Sequence, residues 1–241
     1  MTRRSEFVHE RRKRAWAHGR HVRDGLLADF RRKYGHEPPA PALIVDELIT
    51  DFLHCGLEFL PLPLNLQAET ECSGDCPRVT VNSLMSLIPG VRDGPGVEKV
   101  AMWHEVFHIV DDLDALRTPA SSALPGFSDP PRIRCYRSGG LGRTQEVLAR
   151  EFWAEEAGRA AAVSHEALAD SGAFRELCEL AARSQGAIAQ AWPLLYRAAA
   201  DIGVNITALT RQLSLEGRIS LQGPGGREVH VQPALLRLAE V

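Results

Sequence analysis

Residues 100–110 of this chain, VAMWHEVFHIV, place two histidines and a glutamate inside an otherwise apolar segment. The apolar residues recur at helical spacing around the whole segment, which predicts a helix buried in the core. A buried polar group without a partner costs on the order of a few kcal/mol. The three polar side chains therefore need partners, and a shared metal ion is the leading candidate.

The H-E-x-x-H pattern gives each of these polar residues its own place on the helix. His104 and His108 are four residues apart and project about 40° from one another, so both rings can bind one ion. Neutral imidazoles suit zinc, which lowers the pKa of a bound water to about 7. Glu105 is rotated by about 100° from His104 and can accept a proton from that water as a general base.

A catalytic zinc site needs a third protein ligand, and two residues compete for this role. Asp114 has the metzincin spacing, but the chain has Asp111 where that arrangement needs a glycine to turn back. Glu146 lies at the start of the next long predicted helix and can reach the ion without a tight turn. The residues favour Glu146 and leave Asp114 open. Small residues would let the two helices approach closely, namely Ala149, Ala154, Ala157 and Gly158.

Asp111 is predicted to share a helix face with both histidines, since it follows His104 by seven residues and His108 by three. Two interpretations are open for its carboxylate. It can accept the outer ring N–H of a histidine and so orient a metal ligand. It can also be one of three aspartates at a solvated helix end.

The composition is that of an ordinary globular protein. The chain has 241 residues, of which 44% are hydrophobic and 24% charged, enough for one core with an appendage. No stretch approaches the roughly 18 apolar residues of a membrane span, and the start lacks the apolar region of a secretion signal. Five scattered cysteines argue against an extracellular disulfide framework. We therefore expect a cytoplasmic protein that does not contact a membrane.

The first 34 residues are strongly basic. They hold 11 Lys or Arg and 4 Asp or Glu, a net charge of +7, whereas the rest of the chain carries −10. A basic segment can contact nucleic acid, or it can fold back on an acidic body. Neither a zinc-finger spacing nor an aromatic RNA-binding pattern accompanies it. Any nucleic-acid contact through residues 1–34 is therefore expected to be weak and salt-dependent.

Periodicity and turn residues divide the chain into a series of predicted elements. A helix over about 5–34 ends at GHEPPAPA, and a second helix is predicted in ALIVDELITDFLHCG. Two strands, in LEFLPLPL and PRVTVNSL, precede the motif helix. Residues 117–143 are predicted to form a long loop, either functional or mobile. Helices then extend to about residue 214, with breaks at DSG and DIGVN, before a hairpin around GPGG.

Three stretches, in order along the chain, resemble the ImmA/IrrE family of zinc-dependent metallopeptidase-like proteins. They are VTVN before the motif helix, WHEVFHIV as the motif helix, and EVLAREFWAE as the following helix. In the family this last helix carries a Glu, with an Ala three and a Phe six residues later, as it does here. The metal ligands implied by the resemblance are His104, His108 and Glu146, with Glu105 as the general base.

The resemblance implies an α+β, zincin-like fold that is mainly helical, with a small antiparallel sheet next to the H-E-x-x-H helix. Three parts are expected: a basic helical arm with a Pro-rich linker at 1–40, the metallopeptidase domain at 41–165, and a helical extension ending in a hairpin at 166–241. The implied function is zinc-dependent hydrolysis of a peptide bond in a specific intracellular protein, such as a transcriptional repressor.

Two other functions stay open on the sequence. The chain can be a metal-containing regulatory or binding protein of the same fold that cleaves nothing, or a DNA-associated factor that acts through residues 1–34. Glu105 favours the enzyme, because a binding protein has no need of a general base.

Overall fold

The computed structural model describes residues 3–73, 76–85, 96–117, 132–136, 145–183, 188 and 190–232. Its first element is α1, a single helix over Arg3–Tyr34, so the predicted N-terminal helix is confirmed. A short irregular helical segment follows the prolines. It consists of a 3-10 turn over Pro41–Ile44, α2 over Val45–Glu47 and a π turn over Leu48–Phe52.

Four strands then form one sheet: β1 (Gly56–Leu60), β2 (Leu66–Ser73), β3 (Cys76–Asn82) and β4 (Arg132–Tyr136). Their order across the sheet is β1-β3-β2-β4. The sheet is mixed, and the predicted antiparallel sheet is wrong in this respect. β3 pairs antiparallel with β2 but parallel with β1. β4 pairs antiparallel with β2 and occupies part of the predicted loop 117–143, most of which lies outside the described residues.

The helices of the second half follow in quick succession. They are α3 (Val97–Arg117), α4 (Gln145–Ala162), α5 (His165–Asp170), α6 (Gly172–Arg183), α7 (Ala191–Ile202) and α8 (Ile206–Leu215). The predicted breaks are confirmed, because Ser171 separates α5 from α6 and Gly203 ends α7. The predicted C-terminal hairpin is also confirmed, as β5 (Ile219–Gln222) paired with β6 (Glu228–Val231).

The core centres on α3, which packs against β2, β3 and α4. Residues 101–109 of this helix are all buried, including the large side chains of Trp103 and Phe107. A single cluster of buried side chains extends from α1 to β6. The cluster therefore contains residues from each of the three predicted parts, 1–40, 41–165 and 166–241. Among the described helices, none is both long and apolar enough to cross a membrane.

α1 packs along α4 in the same direction. Arg11 Nη2 donates to the carbonyl oxygen of Ala149 at 2.8 Å, and two turns later Gly19 lies against Ala157. A Cβ atom at Gly19 would lie only 2.3 Å from the carbonyl oxygen of Ala157. The two helices can therefore approach this closely only where α1 has no side chain.

Candidate metal centre

The centre lies where α3 and α4 cross. A Cβ atom at Gly158 would lie 2.9 Å from the backbone nitrogen of His104, so the two helices touch backbone to backbone at this point. Further along α3, Asp111 accepts a hydrogen bond from Trp153 Nε1 at 3.0 Å, which shows that the helices run antiparallel. The prediction that small residues allow a close approach is confirmed for Gly158, and the contact brings side chains of both helices together.

Three side chains converge at this crossing. The Nε2 atoms of His104 and His108 are 2.9 Å apart, and each lies 3.6 Å from an oxygen of Glu151. Three ligands in tetrahedral positions at about 2.0–2.1 Å from a zinc ion would lie about 3.3 Å from one another. The observed separations lie on either side of that value. This group can hold a metal ion.

Asp112 orients one of the histidines. Its Oδ2 lies 2.9 Å from Nδ1 of His108, and because an ionised carboxylate can only accept, the proton of the ring is on Nδ1. Nε2 is therefore the ring nitrogen that faces His104 and Glu151. An outer carboxylate of this kind is typical of metal-binding histidines.

Of the two interpretations open for Asp111, that of an outer carboxylate to a metal-binding histidine does not hold. Asp111 instead accepts hydrogen bonds from His18 Nε2 at 2.9 Å and from Trp153, because its position on α3 turns it toward α1. Asp112 follows His108 by four residues, one turn of the helix, and its carboxylate therefore reaches Nδ1 of that histidine. The side chain of Asp114, the alternative third ligand, is outside the described residues.

Glu105 is fully buried beside the two histidines. Its Oε2 accepts a hydrogen bond of 2.5 Å from the hydroxyl of Thr70, whereas its Oε1 is buried and accepts none from the described residues. Burial raises the pKa of Glu105 above its ordinary value, and the charges of the histidines and the Thr70 hydrogen bond oppose that shift only in part. Oε2 of Glu105 is thus fixed by a hydrogen bond, and Oε1 can accept a further one.

Glu146, the predicted third ligand, does not join the histidines. Its side chain is 75% exposed and accepts a hydrogen bond from Arg150 Nη2 at 2.6 Å. The helical repeat explains this difference. Glu151 lies about 20° from Gly158 around α4, so it faces α3, whereas Glu146 is rotated by about 120° from that glycine. We therefore replace Glu146 by Glu151 as the carboxylate of the centre.

The sequence contained a signal for Glu151. Ala154 and Gly158 mark the face of α4 that packs against α3, and the same face extended one turn back reaches position 151. The contribution of β2 was also missed. Its residues 66–71 alternate Leu, Ala and Thr with Gln and Glu, a period of two that predicts a strand, although Glu, Gln and Ala have low strand propensity.

No model of a protein family, no curated protein and no solved structure matches this chain. The resemblance to the ImmA/IrrE family therefore rests on the three motifs alone and stays a prediction. The convergence of His104, His108 and Glu151 at the helix crossing does not depend on that resemblance.

Proposed function

We propose that this chain is a zinc-dependent metallopeptidase with a zincin-like fold. One observation carries the proposal. The ligand atoms of His104, His108 and Glu151 converge, and beside them lies the buried Glu105, which has one oxygen fixed by Thr70 and one that can accept a proton. A group that only binds a metal needs no such glutamate. A general base needs both its place next to the ion and an oxygen that can accept a proton.

The donor set supports zinc. Two imidazole nitrogens and one carboxylate oxygen form one of the usual sets of three protein ligands in catalytic zinc sites, which keep the fourth position open. The Nδ1–H of His108 is held by Asp112, which leaves Nε2 as the ring nitrogen to bind the ion. A bound zinc ion would supply a Lewis acid and lower the pKa of a coordinated water to about 7.

The roles of the side chains follow from their positions. His104, His108 and Glu151 would hold the ion between α3 and α4. Glu105 would accept a proton from the attacking water through Oε1 and deliver it to the amine that leaves when the peptide bond breaks. The core around α3 would keep bulk water away from Glu105, which is itself fully buried.

The substrate class rests on the motif resemblance. It supports a single intracellular protein, such as a transcriptional repressor, as the target, and a cytoplasmic location for the enzyme. A restricted target also fits a peptidase that shares a compartment with the proteins of its own cell.

The metal assignment is tested by measuring zinc in purified variants. The wild-type chain should hold about one zinc per chain, and His104→Ala and Glu151→Gln should lose most of it. Glu146→Gln is the matched control on the same helix and should keep its zinc. Full zinc in Glu151→Gln together with loss in Glu146→Gln would return the third ligand to Glu146.

The peptidase assignment is tested with Glu105→Gln, which should bind zinc but lose hydrolysis, because an amide cannot accept the proton of the water. Each form is co-expressed with regulatory proteins encoded beside it, and new protein termini are identified by mass spectrometry. A cut made only by the wild type supports the proposal. Cleavage by Glu105→Gln, or equal biological activity of both forms, favours a regulatory protein that cleaves nothing.

A further inference from the structure

Thr70 connects the sheet to the catalytic centre. Within the described part of the chain, Glu105 accepts one hydrogen bond, and its donor is the hydroxyl of Thr70 at 2.5 Å. Both side chains are fully buried, with an exposed fraction of 0% each. The contact joins β2 to α3, two elements whose residues here are 35 positions apart in the chain.

Thr70 is itself rigidly held. It lies on β2, an inner strand of the sheet, with Val79 of β3 on one side and Ile133 of β4 on the other. Its β-branched side chain has few rotamers. The hydroxyl therefore has a fixed position, set by two strand pairings rather than by a mobile loop.

A glutamate has several rotatable bonds between its backbone and its carboxylate, so a general base of this type needs an anchor. Oε2 of Glu105 has one, whereas its buried Oε1 accepts no hydrogen bond from the described residues. A misplacement of about 1 Å in a catalytic group can lower the rate by about 100-fold. The hydrogen bond from Thr70 to Glu105 should therefore affect the rate at which Glu105 accepts a proton.

We propose that Thr70 is a positioning residue for the general base: its hydroxyl holds Oε2 of Glu105 so that Oε1 receives the proton. The inference rests on the proposed peptidase function and adds a residue outside the motif helix. It assigns to the sheet a direct part in the reaction, beyond its part in the core.

The kinetic experiment uses three variants of the zinc-loaded chain. Thr70→Val keeps the shape and removes the hydroxyl, Thr70→Ser keeps the hydroxyl, and Thr80→Val is the control. Thr80 is also buried, at 7% exposure, but it pairs with Glu69 and so lies on the opposite face of the sheet from Thr70. The probe is the best-cleaved member of an internally quenched random peptide library.

For Thr70→Val we expect kcat to fall by about 10- to 100-fold, with KM and zinc content unchanged. Thr70→Ser should stay within about 3-fold of the wild-type kcat because its hydroxyl can still donate. Thr80→Val should match the wild type. Wild-type kcat in Thr70→Val, or an equal loss in Thr70→Ser, would overturn the proposal.

A second measurement needs no activity. The urea midpoints of the metal-free wild type, Thr70→Val, Glu105→Leu and the double variant form a double-mutant cycle. If Thr70 holds Glu105, the double variant should lose clearly less than the sum of the two single losses, and additive losses would contradict the contact. Should the wild type cleave neither a library peptide nor any of the co-expressed regulatory proteins, the peptidase function fails, and the cycle alone decides whether Thr70 holds Glu105.

Discussion

Asp112 shows how a residue outside the group of His104, His108 and Glu151 can orient one of its side chains. Its carboxylate accepts the Nδ1–H of His108 and lies near Arg150, whose Nε is 3.7 Å from Oδ1. Arg150 is in turn held by Glu146. Glu146 therefore belongs to a chain of contacts behind the centre, and two residues, Arg150 and Asp112, separate it from the histidine that the sequence predicted it to join.

We predict that Asp112→Ala lowers zinc affinity by about 10- to 100-fold, because His108 loses the partner that holds its ring and raises its basicity. Competition with a chromophoric chelator measures this affinity. Asp111→Ala is the matched control, since its carboxylate contacts His18 and Trp153 instead. It should bind zinc as the wild type does, and equal affinities in all three proteins would show that Asp112 does not orient His108.

The residues of the centre differ in how far the sequence could predict them. His104, Glu105 and His108 share one helix, so their relative positions follow from the helical repeat alone. Glu151 and Thr70 reach the centre from other elements. Their places depend on which face of α4 meets α3 and on the register of β2, and these are set by packing across the core.

At the scale of elements, the crossing of α3 and α4 decides whether the centre can form. Gly158 has no side chain at the point where α4 meets the backbone of His104. Glu151 lies two turns earlier on the same face. The distance between the helices at Gly158 therefore sets how closely the Glu151 carboxylate approaches both histidines.

We predict that Gly158→Ala destabilises the chain by about 1–3 kcal/mol, because the added methyl group must push the helices apart. Zinc affinity should fall as well, since Glu151 would move away from the histidines. Thermal unfolding of the metal-free chain and chelator competition measure the two effects.

Gly25→Ala in α1 is the control for this substitution. Gly25 is exposed, and a Cβ atom there would have no neighbour within 4 Å. Alanine should raise helix stability there by up to about 1 kcal/mol and leave zinc affinity unchanged. If Gly158→Ala behaved like Gly25→Ala, the close contact would not limit the helix distance.

The strands were harder to predict than the helices for a physical reason. α1, α3 and α4 are long, with 32, 21 and 18 residues, and a long segment without a break is typical of a helix rather than a strand. β4 has only five residues, Arg132–Tyr136, and arginines at two of them. Such a strand is specified by its pairing with β2 rather than by its own composition.

At the scale of the whole molecule, α1 joins parts of the body that are distant in sequence. Arg12 Nε lies 3.2 Å from an oxygen of the buried Glu156 on α4, and Arg20 Nη1 lies 3.7 Å from Glu216 after α8. Lys33 near the end of α1 also pairs with a carboxylate of the body, since its Nζ lies 2.8 Å from Oδ2 of Asp51. These pairs support the interpretation that the basic segment folds back on the acidic body, whereas nucleic-acid binding stays a prediction.

Glu216 is the centre of one of these connections. Its side chain is 7% exposed and accepts hydrogen bonds from His165, Gln212 and Arg218, at 3.1, 2.8 and 2.8 Å. Burial alone would raise the pKa of Glu216, but the hydrogen bond and charge of His165 and the other two donors lower it from about 4.5 to about 2. The folded chain therefore favours the ionised form of this carboxylate.

A lowered pKa in the folded state stabilises the protein above the ordinary pKa, and this contribution is lost as the pH falls toward the folded value. For Glu216 it should be complete above about pH 5 and disappear progressively toward pH 2. The shift corresponds to roughly 3 kcal/mol. We predict that Glu216→Gln lowers the Tm of the metal-free chain clearly at pH 6 and much less at pH 3. Below the ordinary pKa this carboxyl takes up a proton in the unfolded chain, which favours unfolding, whereas the folded chain still holds it ionised.

Thermal unfolding followed by circular dichroism between pH 3 and pH 6 measures the difference in Tm between the two chains. Glu179→Gln is the control, because the Glu179 side chain is 67% exposed and pairs only loosely with Arg183, at 3.7 Å. Its effect on Tm should be small at every pH. A Tm difference for Glu216→Gln that stayed constant from pH 6 to pH 3 would show that the carboxylate stabilises the chain by packing alone, since only its ionised form makes the charged contacts that join α1, α5 and the end of α8.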